Sequence, residues 1–265
     1  MDSLLIDTDN ALGSRSGDVD DGLAIAALLR SGVPVAALSS VGGNSSEAEA
    51  DRNNRALGAL CGYPGPYLRG ADVAKRLDLW PPAPLRVLAL GPLTNVAAAL
   101  PALPSAATEV VLVGGNISSR GRFPPLWPHE FNLTKDREAA RAVFASDLPL
   151  TVVPLDVARR LRVGAPELAR LEGTLGEYIR RHSTRWLRRS RWLHGPGGFS
   201  AFDLLAAATV FTPAAVSSEE TTARAHANLW LEFGRGGRPV RLVRGFDGAV
   251  ILERFESLIN SSCPQ

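Results

Sequence analysis

Short apolar runs alternate with longer amphipathic segments along this chain, and this alternation restricts the fold more than any other feature of the sequence. The apolar runs end at glycine, proline or aspartate and have the length of buried strands, while the segments between them have the spacing of helices. Repeated strand–helix–strand order predicts an α/β fold, with one open, mostly parallel sheet and helices on both faces, in a single domain over residues 1–265. The predicted strands are SLLID (3–7), VPVAALSSV (33–41), LRVLALG (85–91), EVVLVGG (109–115) and LPLTVVPL (148–155).

Beyond about residue 160 the pattern changes. Two helical segments, 165–189 and 199–211, are followed by two segments rich in β-forming residues, 223–233 and 238–245. No linker, internal repeat or low-complexity tract sets this part of the chain apart. We therefore expect it to complete the same domain.

The composition argues against several classes of protein. The chain has 29 basic and 27 acidic residues, a formal charge of +2, so nothing indicates a nucleic-acid or membrane partner. No apolar run approaches the roughly 18 residues of a membrane helix. Cys61 and Cys263 lack metal-binding spacing, and the N-terminus lacks a signal-peptide pattern. We expect a soluble, cytoplasmic protein without structural disulfides.

Negative charge is concentrated where the first strand meets the first helix. This stretch contains Asp7, Asp9, Asp18, Asp20 and Asp21. Carboxylates held this close repel one another unless a cation, or a substrate rich in hydroxyl donors, compensates them. An aspartate before a helix is often only an N-cap, which is the role we expect for Asp18. Capping explains one or two of the others at most, so a bound cation is the simpler account.

Three further predicted strands are followed by glycines and amides, at residues 42–44, 91–95 and 114–116. In open parallel sheets, ligands bind outside the carboxyl ends of the strands, so these residues and the aspartates are predicted to meet at one rim. The glycines match neither common phosphate-binding pattern. An oxygen-rich, acidic rim suits a hard divalent cation and hydroxyl groups.

Five segments recur in a recognisable order. They are DTD followed by DVDDGLA (7–24), VGGN (41–44), ALGPLTNVAAAL (89–100), EFNLTKDREAA (130–140) and FDLLAAATVFTP (202–213). Together they resemble the motifs of the inosine-uridine preferring nucleoside hydrolase family, with extra residues inside the first motif. The resemblance covers nearly the whole chain. It implies an enzyme that hydrolyses the N-glycosidic bond of ribonucleosides, releasing ribose and a free base.

The resemblance also implies a bound Ca²⁺. The implied ligands are the carboxylates of Asp9, Asp21 and Asp203 and the backbone carbonyl of Thr94, while Asp7 matches an aspartate that we expect to support them. Asp9 also matches the general base that takes a proton from the attacking water. The two roles are compatible, because a divalent ion lowers the pKa of water and a nearby carboxylate accepts its proton.

The residues implied to hydrogen-bond the ribose hydroxyls come from three motifs. Such contacts favour the oxocarbenium-like state that is reached as the glycosidic bond breaks. The residues are Asp20, Asn44, Glu130 and Asn132. Each has a structural alternative. Asparagine after glycine is common in turns, Asp20 belongs to the group that capping explains in part, and Glu130 and Asn132 would by themselves be loop residues. Capping is also the alternative for the implied ligand Asp203, which starts an apolar helix.

The chain departs from the family pattern where the leaving base is handled. Phe202 stands where the family commonly has a histidine that donates a proton. We expect stacking of the base on Trp80 or Trp127, or protonation by solvent, to replace that donor. Purines are then predicted to be preferred, because they offer a larger face to a tryptophan. The alternative proton donors are His129 and His194.

Other functional readings stay open at this point. A catalytically weak relative that binds ribose or nucleosides would keep the acids without a complete base pocket. The arginine-rich segment 180–195 is either a solvated helix face or subunit contact, or a clamp for a 5′-phosphate on the substrate. The resemblance further implies a homo-oligomer, dimer or tetramer, and a role in purine salvage and nucleoside catabolism.

Overall fold

A computed structural model of the chain describes residues 2–70, 84–101, 103, 107–117, 130–194, 197–226, 229 and 231–261. The described residues form eleven strands and ten α-helices. The strands are β1 (Ser3–Thr8), β2 (Val35–Ser40), β3 (Tyr67–Arg69), β4 (Leu85–Ala89), β5 (Ala107–Val113), β6 (Leu150–Val153), β7 (Arg162–Val163), β8 (Phe199–Ser200), β9 (Val216–Ala225), β10 (Leu231–Phe233) and β11 (Arg238–Phe246).

Nine of these strands form one sheet, in the order β10-β9-β11-β6-β5-β4-β1-β2-β3, and β7 pairs with β8 separately. Every pair from β3 across to β11 is parallel, and only β9 pairs antiparallel with its two neighbours. The five predicted strands correspond to β1, β2, β4, β5 and β6. The predicted open, mostly parallel sheet is therefore confirmed.

The helices lie between the strands as predicted for a doubly covered sheet. Helix α2 shows why its sequence is helical, because Ser46 and Glu49 form a capping box at its start and Gly62 ends it in the left-handed region, at φ 74°. The helices are α1 (Asp20–Arg30), α2 (Glu47–Cys61), α3 (Thr94–Ala99), α4 (Phe131–Lys135), α5 (Arg137–Ala145), α6 (Leu155–Ala158), α7 (Ala165–Ala169), α8 (Gly173–His194), α9 (Phe202–Phe211) and α10 (Gly248–Asn260).

The structure differs from the sequence-based prediction mainly in the second half of the chain. The single helix predicted over 165–189 is two helices, since α7 ends at Ala169 and α8 begins at Gly173, whose φ of 68° lies outside the helical range. The sequence did not reveal β3 or α10. The late β-rich segments begin earlier than predicted, since β9 starts at Val216, and they extend the main sheet through the parallel pair β11–β6.

Helices α1 and α9 are the most deeply buried helices around the site. Residues Leu23–Leu28 of α1 and Leu204–Ala208 of α9 have essentially no exposed surface. Both segments are rich in alanine, which lets two helices approach closely. The two helices pack against each other. Their N-termini, which carry acidic residues, are consequently held side by side.

Among the described residues, no helix combines the length and the apolar character needed to cross a membrane.

Candidate functional site

The carboxyl ends of neighbouring parallel strands meet at one rim, and hydrogen bonds join residues that follow different strands. After β4, Asn95 Nδ2 donates to Asp7 Oδ1 on β1 at 2.8 Å. After β2, the backbone N–H of Asn44 donates to Asp9 Oδ2 at 2.6 Å. The structure therefore brings the acids and amides of the first three strand ends together.

Three more carboxylates reach this rim from helix N-termini. Asp20 and Asp21 are the first two residues of α1, and Asp203 is the second residue of α9. The backbone N–H of Asp203 donates to Asp20 Oδ2 at 3.0 Å. N–H groups in the first turn of a helix have no partner within the helix, so Asp20 supplies one for α9. Carboxylate oxygens of the three residues lie within 4.8 Å of one another. All three side chains are buried.

Asp9 lies against this group. Burial, and then the charge of Asp21, raise the pKa of Asp9 well above its ordinary value. Burial and the charges of Asp20 and Asp21 do the same to the pKa of Asp203. The pKa of Asp20 rises to about 6, through burial and the charge of Asp21. Each of these carboxylates is therefore harder to ionise than in water, and a positive charge among them would favour the ionised forms.

Two oxygens in the group have no hydrogen-bond partner among the described residues. They are Asp9 Oδ1 and Asp21 Oδ2, and both are buried. The other oxygen of Asp21 accepts from the Thr8 hydroxyl, and the other oxygen of Asp9 accepts from Asn44. Buried carboxylate oxygens without partners are costly unless a cation or proton satisfies them. The donor set, all oxygen and strongly acidic, fits a hard divalent cation.

Thr94 is placed differently from the acids. It is exposed, it begins α3, and its hydroxyl donates to Asp136 at 2.7 Å. A helical carbonyl points along the helix axis toward the next turn. The carbonyl ligand predicted at Thr94 stays a prediction.

The residues predicted to contact ribose lie at the same rim. Asn44 follows β2, and its side chain is close enough to Asp21 to lower the pKa of that carboxyl. Glu130 is buried and caps α4 by accepting from the backbone N–H groups of Asn132 and Leu133. Asn132 Nδ2 donates to the carbonyls of Leu90 at 2.7 Å and Val113 at 3.3 Å. The ends of β4 and β5 are thereby tied to α4.

Glu130 should make stability depend on pH. Burial raises its pKa to about 8, against the opposing effect of the capping N–H groups. From about pH 4.5 to 8 the folded state then binds more protons than the unfolded state, so stability falls as pH rises. In Glu130→Gln, urea unfolding at pH 5 and pH 8.5 should show a smaller difference than in the parent, by an amount of order a few kcal/mol. Equal pH dependence in the two proteins would contradict this.

The predicted N-cap role of Asp18 is wrong. Helix α1 begins one residue later than such a cap requires, after Val19, which makes no side-chain cap bond. Asp18 Oδ1 instead accepts from the adjacent N–H of Val19 at 2.7 Å. Burial and the charge of Asp20 raise the pKa of Asp18 well above its ordinary value. The charge of Asp18 therefore adds to the repulsion among the clustered carboxylates.

The base-binding residues are less well defined. Trp80, Trp127 and His129 lie outside the described residues, as does the side chain of His194. Phe202 is the first residue of α9, partly buried and packed against the core. How the leaving base is stabilised or protonated therefore stays a prediction.

The arginine-rich segment is the C-terminal half of α8. Arg181, Arg185, Arg188 and Trp192 recur along one exposed side of the helix, and Trp192 is 92% exposed. Arg185 Nη1 donates to the backbone carbonyl of Arg15 in the loop between the aspartates, at 3.2 Å. The segment thus presents a solvated face, and one of its arginines contacts the acidic loop.

Gly43 tests how tightly Asp9 is held. A Cβ at Gly43 would lie 1.9 Å from Asp9 Oδ2, so Gly43→Ala must displace that carboxylate. We expect at least a tenfold loss of turnover, since misplacing a reacting group by about 1 Å costs up to about a hundredfold. At Gly42 the nearest atom to an added Cβ is 3.7 Å away, so Gly42→Ala is the matched control and should keep parental turnover. Equal activity in both variants would refute the expected displacement.

Sequence reasoning missed some residues that shape the site. Thr8, between the two strand-end aspartates, donates to Asp21. Asn95 donates to Asp7, to Ser39 Oγ at 3.2 Å and to the Ser40 carbonyl at 3.1 Å. The available signal was that these polar residues stand at strand ends, where an unpaired polar side chain would otherwise be buried.

Fold and site together define a class: an α/β protein with a buried carboxylate cluster, suited to a hard cation, at the carboxyl edge of its parallel sheet. The sequence model of the inosine-uridine preferring nucleoside hydrolases matches residues 72–249. Since this is more than half of the chain, the protein belongs to the inosine-uridine preferring nucleoside hydrolase family.

Individual relatives agree with this placement. A putative pyrimidine-specific ribonucleoside hydrolase, RihB, of Shigella boydii is 29% identical over 157 residues, which are 57% of this chain and 64% of that protein. A second relative, an uncharacterized protein of Schizosaccharomyces pombe, is matched over only 36% of its length. The chain therefore spans less than two thirds of the length of both curated relatives. Similarity at the level of individual sequences is therefore partial.

Solved structures share the fold over almost the full length. A plant nucleoside hydrolase, PpNRh1, superposes with a TM-score of 0.85 at 19% identity, covering 98% of this chain and 99% of that one. A purine-preferring ribonucleoside hydrolase from Gardnerella vaginalis gives 0.78 at 20% identity, covering 97% and 98%. At these identities the likeness concerns the fold.

Proposed function

We propose that this protein hydrolyses the N-glycosidic bond of ribonucleosides, releasing ribose and a free base, with Asp9 as general base and Ca²⁺ as cofactor. One observation carries the proposal: buried oxygens of Asp9 and Asp21 without partners, beside Asp203, at the ligand-binding edge of the sheet. Family membership supports it.

The cation would be held by Asp9, Asp21 and Asp203, with the backbone carbonyl of Thr94. When bound, it would neutralise the clustered carboxylates and make a nearby water easier to deprotonate. Asp20 is the fourth carboxylate of the group, and its Oδ2 already accepts from Asp203. We assign Asp20 to the ribose hydroxyls together with Asn44, Glu130 and Asn132.

Asp9 is arranged to act as a base. Its Oδ2 is occupied by the Asn44 N–H, which leaves Oδ1 as the atom that accepts the proton of the attacking water. Hydrogen bonds from the ribose hydroxyls to neighbouring carboxylates would strengthen as positive charge develops on the sugar.

The decisive experiment is a screen of nucleosides, nucleoside 5′-phosphates and other N-ribosides for release of reducing sugar, with and without calcium. Calcium-dependent release from nucleosides is the expected result. Preference for 5′-phosphates would favour the phosphate-clamp alternative, since Arg185 contacts the acidic loop. Binding of nucleosides without release of sugar would instead establish the catalytically weak relative.

Purine preference is a separate prediction of this proposal. Since Phe202 cannot donate a proton, we expect the base to leave with help from stacking on Trp80 or Trp127. Stacking is worth about 1 to 3 kcal/mol per base, so Trp80→Ala or Trp127→Ala should lower turnover of inosine and guanosine roughly tenfold to a hundredfold. The named relatives include pyrimidine-specific and purine-preferring enzymes, so uridine belongs in the assay. Faster cleavage of uridine than of every purine would overturn the prediction and favour His129 or His194 as proton donor.

A further inference from the structure

Two adjacent asparagines, Asn53 and Asn54, lie in the middle of helix α2 and are buried, Asn54 with no exposed surface. Asparagine is a poor residue for a helix interior, and a buried amide is costly unless its hydrogen bonds are made. Apolar residues would stabilise this helix face more simply. Their presence therefore needs an explanation in terms of what their side chains hold.

Asn54 joins the ends of two strands. Its Nδ2 donates to Ser40 Oγ, at the last residue of β2, at 3.1 Å. Its Oδ1 accepts from Asn10 Nδ2 at 2.9 Å. Asn10 directly follows Asp9, so the amide of Asn54 spans from the second strand to the residue beside the proposed base.

Both the side-chain amide and the backbone carbonyl of Asn10 are hydrogen-bonded. Its Oδ1 accepts from the Leu12 N–H at 2.9 Å, which closes a local turn. Its carbonyl accepts from Asn53 Nδ2 at 2.8 Å and from Ser45 Oγ at 3.1 Å. Ser45 Oγ is also 3.0 Å from the carbonyl of Asp9. The backbone that follows Asp9 is consequently restrained by helix α2 and by the loop after β2.

The restrained backbone carries the Asp9 side chain, whose Oδ1 makes no hydrogen bond with the described residues. Asp9 Oδ2 is bonded to Asn44, while Asp9 Oδ1 faces the acidic cluster without a partner and is repelled by Asp21. Repulsion of this kind favours rotation of the carboxylate away from the cluster. A fixed backbone at Asp9 and Asn10 holds the Cα–Cβ bond of Asp9 in the direction from which its carboxylate reaches the cluster.

We infer that Asn54 is a positioning residue for Asp9, acting through Asn10. It touches neither the proposed cation nor the substrate. By holding Asn10 against helix α2 it keeps the Asp9 carboxylate directed at the cluster, where Asp9 is a ligand and base. This inference rests on the proposed function.

The test is a double-mutant cycle of Asn54→Ala, Asn10→Ala and the double variant. For each protein the measurements are kcat and KM for the best nucleoside of the screen, calcium affinity of the metal-free protein by calorimetry, and Tm. Each single change should lower kcat roughly tenfold, leave KM within about twofold, and weaken calcium binding. The double variant should lose less than the sum of the two single effects, because both changes remove the Asn54–Asn10 hydrogen bond.

Asn260→Ala is the matched structural control. Asn260 also makes two side-chain hydrogen bonds, with the Glu172 N–H at 2.8 Å and the Arg170 carbonyl at 2.9 Å, but at the end of α10. It should lower Tm and leave kcat and calcium affinity unchanged. If Asn54→Ala does not fold, Ser40→Ala removes only the far end of the linkage and should lower kcat and calcium affinity in the same direction.

Two outcomes would overturn the inference. In one, Asn54→Ala lowers Tm but keeps parental kcat and calcium affinity. In the other, the two single effects simply add. Failure of the proposed function can be told apart from failure of this inference, because the parent protein itself would then release no sugar from any nucleoside. Calcium affinity would still report whether Asn54 positions Asp9.

Discussion

Asp9→Asn is expected to lower turnover by at least about a hundredfold, the usual cost of losing a general base. The amide keeps the shape of the side chain and one oxygen for the Asn44 N–H, and cannot accept a proton from water at neutral pH. The fold should be retained, because the change removes one of several mutually repelling carboxylates. Steady-state kinetics on the best nucleoside, with circular dichroism and Tm on the same samples, provide the measurement.

Asp247→Asn is the matched control for this prediction. Asp247 caps α10 by accepting from the N–H groups of Ala249 and Val250. Asparagine caps helices about as well as aspartate, so this variant should keep parental activity and stability. If Asp9→Asn retained activity within about tenfold of the parent, Asp9 would not be the base.

Chelation of divalent cations is expected to abolish turnover and to lower Tm. Without a cation, the buried carboxylates of Asp9, Asp21 and Asp203 repel one another or must take up protons. Calcium at about a hundred times its Kd contributes about 2.7 kcal/mol to stability. For a chain of this size that corresponds to a rise in Tm of roughly 5 to 10 °C. Activity and Tm are measured after treatment with EGTA and again after calcium is restored.

Variants of the ligands separate a specific site from a general effect of ionic strength. Asp21→Asn and Asp203→Asn should lose most of the calcium-dependent rise in Tm, while Asp247→Asn should keep it. Magnesium added in place of calcium tests the identity of the ion. Full activity in chelator, in protein shown by elemental analysis to hold no metal, would overturn the proposed cofactor.

Periodicity and motif order predicted much of the fold and the general place of the site. Five apolar runs became parallel strands in one sheet, because burial on both faces leaves a continuous apolar run that can be read directly. The antiparallel edge and the break between α7 and α8 were not predicted. The break spans residues 170–172 and leads into the left-handed conformation of Gly173, which a helical pattern on either side does not reveal.

The candidate site shows the same division. The acidic strand end stood out in the sequence itself, and the resemblance to the family added the late Asp203, which is separated from it by nearly the whole chain. The sequence could not distinguish a capping aspartate from a clustered one, and Asp18 was assigned to the wrong group. Its neighbours in space are set by how the loop after Asp9 folds back, which depends on hydrogen bonds to α2 and α8.

What the sequence determined by itself is therefore the alternation of elements, the family and the presence of an unusually acidic rim, because these depend on residue type and spacing along the chain. The tertiary structure decided which carboxylates meet, which oxygens lack partners and which asparagines hold them. Those features depend on the packing of α1 against α9 and of α2 beside the acidic loop. Hydrogen bonds and charge repulsion act over a few ångströms, and residues far apart in sequence come that close only in the folded chain.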